Sequence, residues 1–430
     1  MDHGADRELA LADPRVPGLG ALLSGEAALD LLDALLPDGA ERPRRVEVAR
    51  GRYRRGSGFT ATLTLHYADG PRHAFARAFA AGDTAGPAAA LEHARRWTPP
   101  PDRPGAADLT ALTGPRLRGP LHDPDLGVLV GPPADDQALP AVRRLVAEPQ
   151  RFADPPPTRV RTLSYRAGRQ WTGLLDGASG GPEAVVCARS DGVNAACYLA
   201  PAVAGIAVPD LLRVSRYGLL VARWLPGEPL DRLLLRDREA ARGALAETGR
   251  LLARLHSVPP PPELPRRDPA ALLSRAAEEV GDLLPGLASR AAAVARRCAE
   301  ALAGADAAPA PVHGCLHPGR VVVGGRGPVL VGLEEAHAGH PAADLAHYAA
   351  ACRAARPFQD GPAAVPEPLL DSYLAALPAP TARAVRRDLG GFTAAALLRR
   401  AAAPFRRGDP DWDAGVAALV AAAETALAEH

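Results

Sequence analysis

The sequence predicts an α+β protein of two lobes, β-rich in its first part and helical in its second, preceded by an additional α+β cap. Three observations carry this. Apolar and polar residues alternate in short runs up to Gly227, proline clusters divide those runs into blocks, and apolar residues beyond Leu230 recur at helical spacing. The expected organisation is a helical segment over residues 1–40, a cap with its linker over 41–150, an N-lobe over 151–228 and a helical C-lobe over 229–430.

The cap and N-lobe are delimited by two proline clusters, Pro99–Pro101 with Pro104-Gly105, and Pro155–Pro157, which favour extended backbone and block helix. The mixed segment between them ends in a predicted helix from Ala138 to Glu148. An internal repeat flanks these boundaries. Tyr53-Arg54-Arg55-Gly56 matches Tyr165-Arg166-Ala167-Gly168, and Ala76-Arg77 matches Ala188-Arg189. Thr60, Thr62 and Thr64 alternate with Phe59, Ala61, Leu63 and Leu65, the pattern of a half-buried strand, and the glycine turns predict hairpins. The repeat predicts a small antiparallel sheet with a flanking helix over residues 158–227. It predicts a second sheet of similar topology over 42–97, so that the cap duplicates the N-lobe sheet.

In the helical part, Arg238 to Leu255 places Leu245, Gly249, Leu252 and Leu255 on one face and stops at Pro259–Pro262. Ala288 to Ala303 reads as a second helix. Residues 312–334 return to short strands around a loop, and the remainder reads as helices broken at Pro357, Pro378 and Pro404.

Composition narrows the function. The formal net charge of +1 leaves no electrostatic footprint for nucleic acid or an anionic membrane. Five cysteines without a C-x-x-C spacing indicate neither a disulfide framework nor a zinc ribbon. No basic start followed by an apolar core marks a signal peptide, and no apolar run approaches the roughly 20 residues that span a bilayer. The expected location is the cytoplasm. All 50 basic residues are arginine and Asn194 is the lone asparagine, a bias that fits a GC-rich bacterial genome.

The most informative stretch runs from Val312 to Tyr348. It contains His313-Gly314, a hairpin around Gly324-Gly325, and Gly339-x-Pro341-x-x-Asp344-Leu345-Ala346. Upstream stand Gly218 to Gly227, with Arg223-Trp224-Leu225, and the helix Gly249 to His256. These linked elements resemble the aminoglycoside phosphotransferases and their maltokinase-like and choline kinase relatives, over roughly residues 158–430. The resemblance implies a protein-kinase-like fold, with Arg223, Trp224 and Leu225 in the segment that contacts adenine and Arg189 (or Arg77) as the strand cation. It implies Asp344 as a brace for the catalytic loop.

The chemistry positions depart from that pattern. Where the family has the proton-accepting Asp, the loop Asn and the metal-holding Asp, this chain has Cys315, Arg320 and Gly332. Cysteine is a poor proton acceptor, and loss of a general base costs a factor of about 10²–10⁴. Arginine brings fixed positive charge to a cation site, and glycine has no ligand atom. Codon bias accounts for Arg replacing Lys but not for two lost aspartates. The segment Asn194–Ala200 also lacks the Glu that would pair with the strand cation.

The implied function is a pseudokinase, a scaffold or regulator with a protein partner or a small-molecule ligand in the inter-lobe cleft. ATP stays a candidate ligand, while magnesium is disfavoured and no metal site is expected. Two alternatives stand beside it: an active ATP-dependent small-molecule or sugar kinase that recruits Glu334 or Glu335, and a metabolite-binding protein without nucleotide. A zinc site from His313, Cys315 and His317, or a Cys315 nucleophile activated by His317, lacks any second supporting cluster. His337, His340 and His347 read as surface or capping residues. The pairs Arg399-Arg400 and Arg406-Arg407 read as solvated helix faces.

Overall fold

The computed structural model describes residues 4–96, 112, 117, 119–152, 156–358 and 363–429. The chain divides into two compact units. The first comprises Met1–Val193, Leu212–Trp224 and Phe405–Trp412; the second comprises Asn194–Leu211, Leu225–Pro404 and Asp413–His430. The expected boundary at Pro99–Pro101 and Pro104-Gly105 lies outside the described residues, as does Pro155 of the second.

The first unit is built on two five-stranded sheets. One contains β1 (Arg45–Arg54), β2 (Gly58–Tyr67), β3 (Gly70–Phe79), β4 (Leu121–Asp123) and β5 (Val128–Gly131) in the order β1-β2-β3-β5-β4. The other contains β6 (Arg159–Arg166), β7 (Gln170–Asp176), β8 (Pro182–Arg189), β9 (Leu211–Ser215) and β10 (Leu219–Arg223) in the order β6-β7-β8-β10-β9. The two orders are the same. Helices α1 (Gly4–Ala12), α2 (Gly25–Leu35), α3 (Ala85–Arg95) and α4 (Pro140–Ala147) complete this part of the chain. The alternation in β2 is realised at Thr60 and Thr64, which are half-buried between buried Phe59, Ala61, Leu63 and Leu65, but not at Thr62, which is buried where it accepts from Ala167 N.

The first sheet is not confined to residues 42–97, as the repeat predicted; it closes with β4 and β5 at 121–131. Those strands are three and four residues long, too short to show alternation, and glycine and proline interrupt the sequence around them.

One device recurs in both sheets. Tyr53 Oη and Gly56 N both donate to Asp13 Oδ2, at 2.8 and 2.7 Å. Tyr165 Oη and Gly168 N both donate to Asp136 Oδ2, at the same two distances. The glycines stand at φ +66° and +73°, a left-handed conformation that lets the hairpin turn its amide toward the carboxylate. Both aspartates are buried, where an acceptor serving two donors is held far more firmly than at the surface. Ala167 N donates to Thr62 Oγ1 at 2.9 Å, docking the second turn on the first sheet. Phe75, Leu129, Leu145, Trp171, Val186 and Val221 then share one apolar cluster.

The second unit is mainly helical. Its elements are α5 (Ala196–Val203), β11 (Glu228–Pro229), α6 (Leu230–Arg236), α7 (Arg238–His256), α8 (Pro269–Leu283), α9 (Ala288–Ala303), β12 (Ala310–Val312), β13 (Val321–Gly324), β14 (Gly327–Leu330), β15 (His337–Gly339), α10 (Ala342–Ala355), α11 (Glu367–Ala375) and α12 (Ala379–Arg399). A short α13 (Ala403–Arg407), most of which belongs to the first unit, and α14 (Trp412–Ala428) follow. Asp237 and Asp268 cap α7 and α8 by accepting from Ala240 N and Ala270 N. The predicted face of α7 is buried, with Leu245, Leu252 and Leu255 in a cluster shared with Leu345, Tyr348 and Tyr373. Among the described residues no helix is long and apolar enough to cross a membrane.

Candidate functional site

The altered positions lie in the second unit, on a loop that β12 delivers and α10 anchors. Asp344, one turn into α10, is fully buried. It accepts from His313 N at 2.7 Å and Gly314 N at 2.9 Å, and pairs with His256 Nε2 at 3.1 Å. His256 Nδ1 in turn lies 2.7 Å from Tyr373 Oη. Burial alone would raise the Asp344 pKa; the His256 hydrogen bond and charge, with the loop amides, outweigh it and hold the carboxyl below its usual range. Asp344 is therefore a permanent anion that fixes the loop backbone. His313 is buried too, and burial lowers its pKa. Its neutral ring donates from Nε2 to Val331 O at 3.0 Å.

Around that brace the chemistry positions are arranged differently. Cys315 is half-buried. Arg320 ends a short turn, its N–H donating to His317 O while its own carbonyl accepts from Val331 N. Its guanidinium is folded back over Gly332. A Cβ at Gly332 would stand 1.8 Å from Arg320 Nη1, closer than any real contact, and Gly332 itself has φ +73°. The guanidinium thus fills the space that a side chain at position 332 needs. Arg320 Nη1 lies 3.9 Å from Glu334 Oε2.

Glu334 and Glu335 are not a solvated acidic pair. The Glu334 side chain is mostly buried and accepts from Tyr198 Oη at 2.8 Å, while Glu335 pairs with Arg267 at 2.5 Å. Tyr198 comes from α5, the helix whose missing acid counted as a defect; it supplies a hydroxyl to the metal side of the loop instead. Sequence reasoning missed Tyr198, and its signal was a single tyrosine in an Ala- and Leu-rich helix.

These residues do not fit a magnesium ion. Gly332 offers no oxygen, and Arg320 brings a fixed positive charge beside Glu334, the nearby acid that would have to hold the ion. His313, Cys315 and His317 form no ligand triad: among the described residues no three His, Cys, Asp or Glu side chains are grouped to hold a metal.

The other implied positions lie in or beside the first unit. Arg189 ends β8, mostly buried, and binds Asp191 through Nε at 2.8 Å and Nη2 at 2.6 Å. The strand cation thus has a local acid two residues on, which the sequence reading overlooked. Arg223 ends β10 and is exposed, while Trp224 and Leu225 are half-buried and Trp224 N donates to Glu183 O.

Two surface readings are corrected. His347 is buried, and Arg399 is no solvated residue: its Nη1 donates to His347 Nε2 at 3.1 Å, and both line a cavity. The end of α12 packs inward, which its arginine pair conceals. His340 does act as a cap, its Nδ1 accepting from Ala342 N at 3.1 Å.

Comparison with known proteins agrees with the resemblance. Residues 193–385 match the phosphotransferase enzyme family. No curated protein matches. Similar solved structures include a choline/ethanolamine kinase family protein from Mesorhizobium loti, 17% identical, covering 63% of this chain and 92% of that one with a TM-score of 0.44. A GDP complex of an aminoglycoside 2'-phosphotransferase is 15% identical, covering 66% and 97% with a TM-score of 0.48. A glucosamine kinase is 20% identical, covering 63% and 82% with a TM-score of 0.41. All three likenesses are distant.

Proposed function

We propose that this chain, which resembles the phosphotransferase enzyme family and matches it over residues 193–385, is a pseudokinase: a cytoplasmic scaffold or regulator without Mg-ATP phosphotransfer. One observation carries the reading. The Arg320 guanidinium occupies the volume that a metal-holding side chain at Gly332 requires, while Asp344 still braces the loop. Retention of the brace beside loss of base and metal ligands supports a fold kept for something other than catalysis. The rival, an active kinase that recruits Glu334, is disfavoured because Tyr198 and Arg320 already engage that carboxylate.

The test is reversion. Cys315→Asp, Arg320→Asn and Gly332→Asp together restore two carboxylates and an amide, and the triple variant should gain Mg²⁺-dependent stabilisation by ATP of about 1–3 kcal/mol at saturating ligand. Gly332→Asp alone should destabilise the chain, because position 332 stands at φ +73°, where a side chain is strained. Thermal unfolding with ATP, with and without magnesium, reads both outcomes. Mg²⁺-dependent ATP turnover by the unaltered chain would overturn the proposal and make Glu334 the first residue to replace.

A further inference from the structure

Within the second unit a cavity of about 100 Å³ is lined by residues of α8, α9, β15, α10 and α12. Its walls have two characters. Leu272, Leu273, Leu302 and Phe392 supply apolar surface, while Arg267, Arg399, His337, His340 and His347 supply nitrogen. Among the described residues no Asp or Glu lines it.

The formal charges on its wall are of one sign. Arg267 is paired with Glu335 at 2.5 Å. Asp388, behind His340, is held by Arg387 at 2.6 Å. Burial lowers the pKa of His337, His340 and His347, so these rings are neutral, and His347 must offer a lone pair from Nε2 to accept from Arg399. Both charged side chains on the wall are thus guanidiniums, while the carboxylates that act on them and on the histidines, Glu335, Asp388 and Asp344, do not line the cavity. Burial, together with the neighbouring charges of Arg267 and Arg400, pushes the Arg399 pKa below the ordinary arginine value. A desolvated cation in that condition is stabilised by any anion that can enter.

We propose that this cavity binds a small organic anion, its carboxylate or phosphate head against Arg399 and Arg267 and its short apolar body against Leu272, Leu302 and Phe392. The volume holds less than a benzene ring, since a dry cavity of roughly 150 Å³ accepts benzene, so the body is a chain of a few carbons. The same guanidiniums repel a polycation, so an amino sugar is the wrong ligand for it. The inference does not rest on the pseudokinase reading and stands or falls separately from ATP turnover.

The experiment is calorimetric titration of the full chain with butyrate, propyl phosphate and inorganic phosphate at constant ionic strength, with kanamycin as the polycationic control. Butyrate or propyl phosphate should bind saturably with one site and a Kd below about 1 mM, and the tighter of the two identifies the head group. Kanamycin should not bind. Arg399→Gln should weaken binding by about tenfold or more with an unchanged circular dichroism spectrum. If that variant does not fold, Ala396→Leu, which fills the cavity from α12 without altering charge, should weaken binding as much. Binding of inorganic phosphate alone overturns the proposal, as does saturable kanamycin binding or a folded Arg399→Gln or Ala396→Leu chain that binds as the unaltered chain does.

Discussion

In the first sheet Tyr53 stands opposite Phe59, and at the matching place in the second Tyr165 stands opposite Trp171. The aspartate, tyrosine and glycine device is the same in both, but the aromatic filling is not. Trp171 fills its own side of the core, and its Nε1 donates to Thr162 Oγ1 at 3.0 Å. Phe59 is smaller, and the missing volume is made up from the far end of the chain. Phe405 packs against Tyr53 and Phe59, and Trp412 packs edge-on against Phe405. Where the second sheet has Thr162, the first has buried Arg50, which donates to Asp6 Oδ2 at 2.5 Å; Asp6 Oδ1 accepts from Trp412 Nε1 at 2.9 Å. One copy carries its own large aromatic and the other is completed by residues 405–412. Duplicated sheets can keep their turn chemistry while exchanging the source of their core.

The sharpest way to break this comparison is Trp412→Ala. It should cost about 3–5 kcal/mol as a large aromatic truncation, with the Asp6 carboxylate left short of a donor. Hydrogen exchange should show protection lost in β1–β3 and kept in β6–β8. Equal loss in both would mean that the two sheets unfold as one cooperative block.

Next in size, Asp13→Ala and Asp136→Ala each orphan a buried tyrosine hydroxyl and a turn amide, at about 2–3 kcal/mol apiece. Chemical denaturation should give the two variants similar losses; a wide gap would show that the shared geometry conceals different dependence.

The smallest effect comes from a pair of compensating sizes. A Cβ at Gly173 would stand 2.2 Å from the Trp171 ring, whereas the first sheet has Phe59 followed two residues later by Ala61. Gly173→Ala should therefore cost about 1–3 kcal/mol by overpacking. Trp171→Phe should recover part of that loss in the double variant by importing the other sheet's combination. A strictly additive double-mutant cycle would remove the claim that the two positions are coupled.

Much of this was legible in the sequence, because it lay in short, ordered signals. The Tyr-x-x-Gly turns announced the duplication, and Gly339-x-Pro341-x-x-Asp344 announced the loop brace. Asp13 and Asp136 were not legible: they precede their tyrosines by 40 and 29 residues, and no periodicity links them. Trp412 meets Asp6 across 406 positions, a pairing that no local pattern encodes. The cavity arginine Arg399 was hidden by composition. An Ala-rich helix has a weak apolar stripe, so the inward and outward faces of α12 look alike until its neighbours are in place. The replacement of Cys315, Arg320 and Gly332 could be read directly, but that Arg320 occupies the Gly332 vacancy could not, since it depends on a side chain folding back across a hairpin.

That interlock also couples the two positions. Gly332 stands at φ +73°, and a Cβ there would meet Arg320 Nη1, so any side chain at 332 obliges the guanidinium to move. The guanidinium is the far end of a flexible side chain and can give way, and an acid at 332 would draw it into an ion pair rather than be shut out by it. The effect of a substitution at either position therefore depends on what stands at the other, and the two should not add.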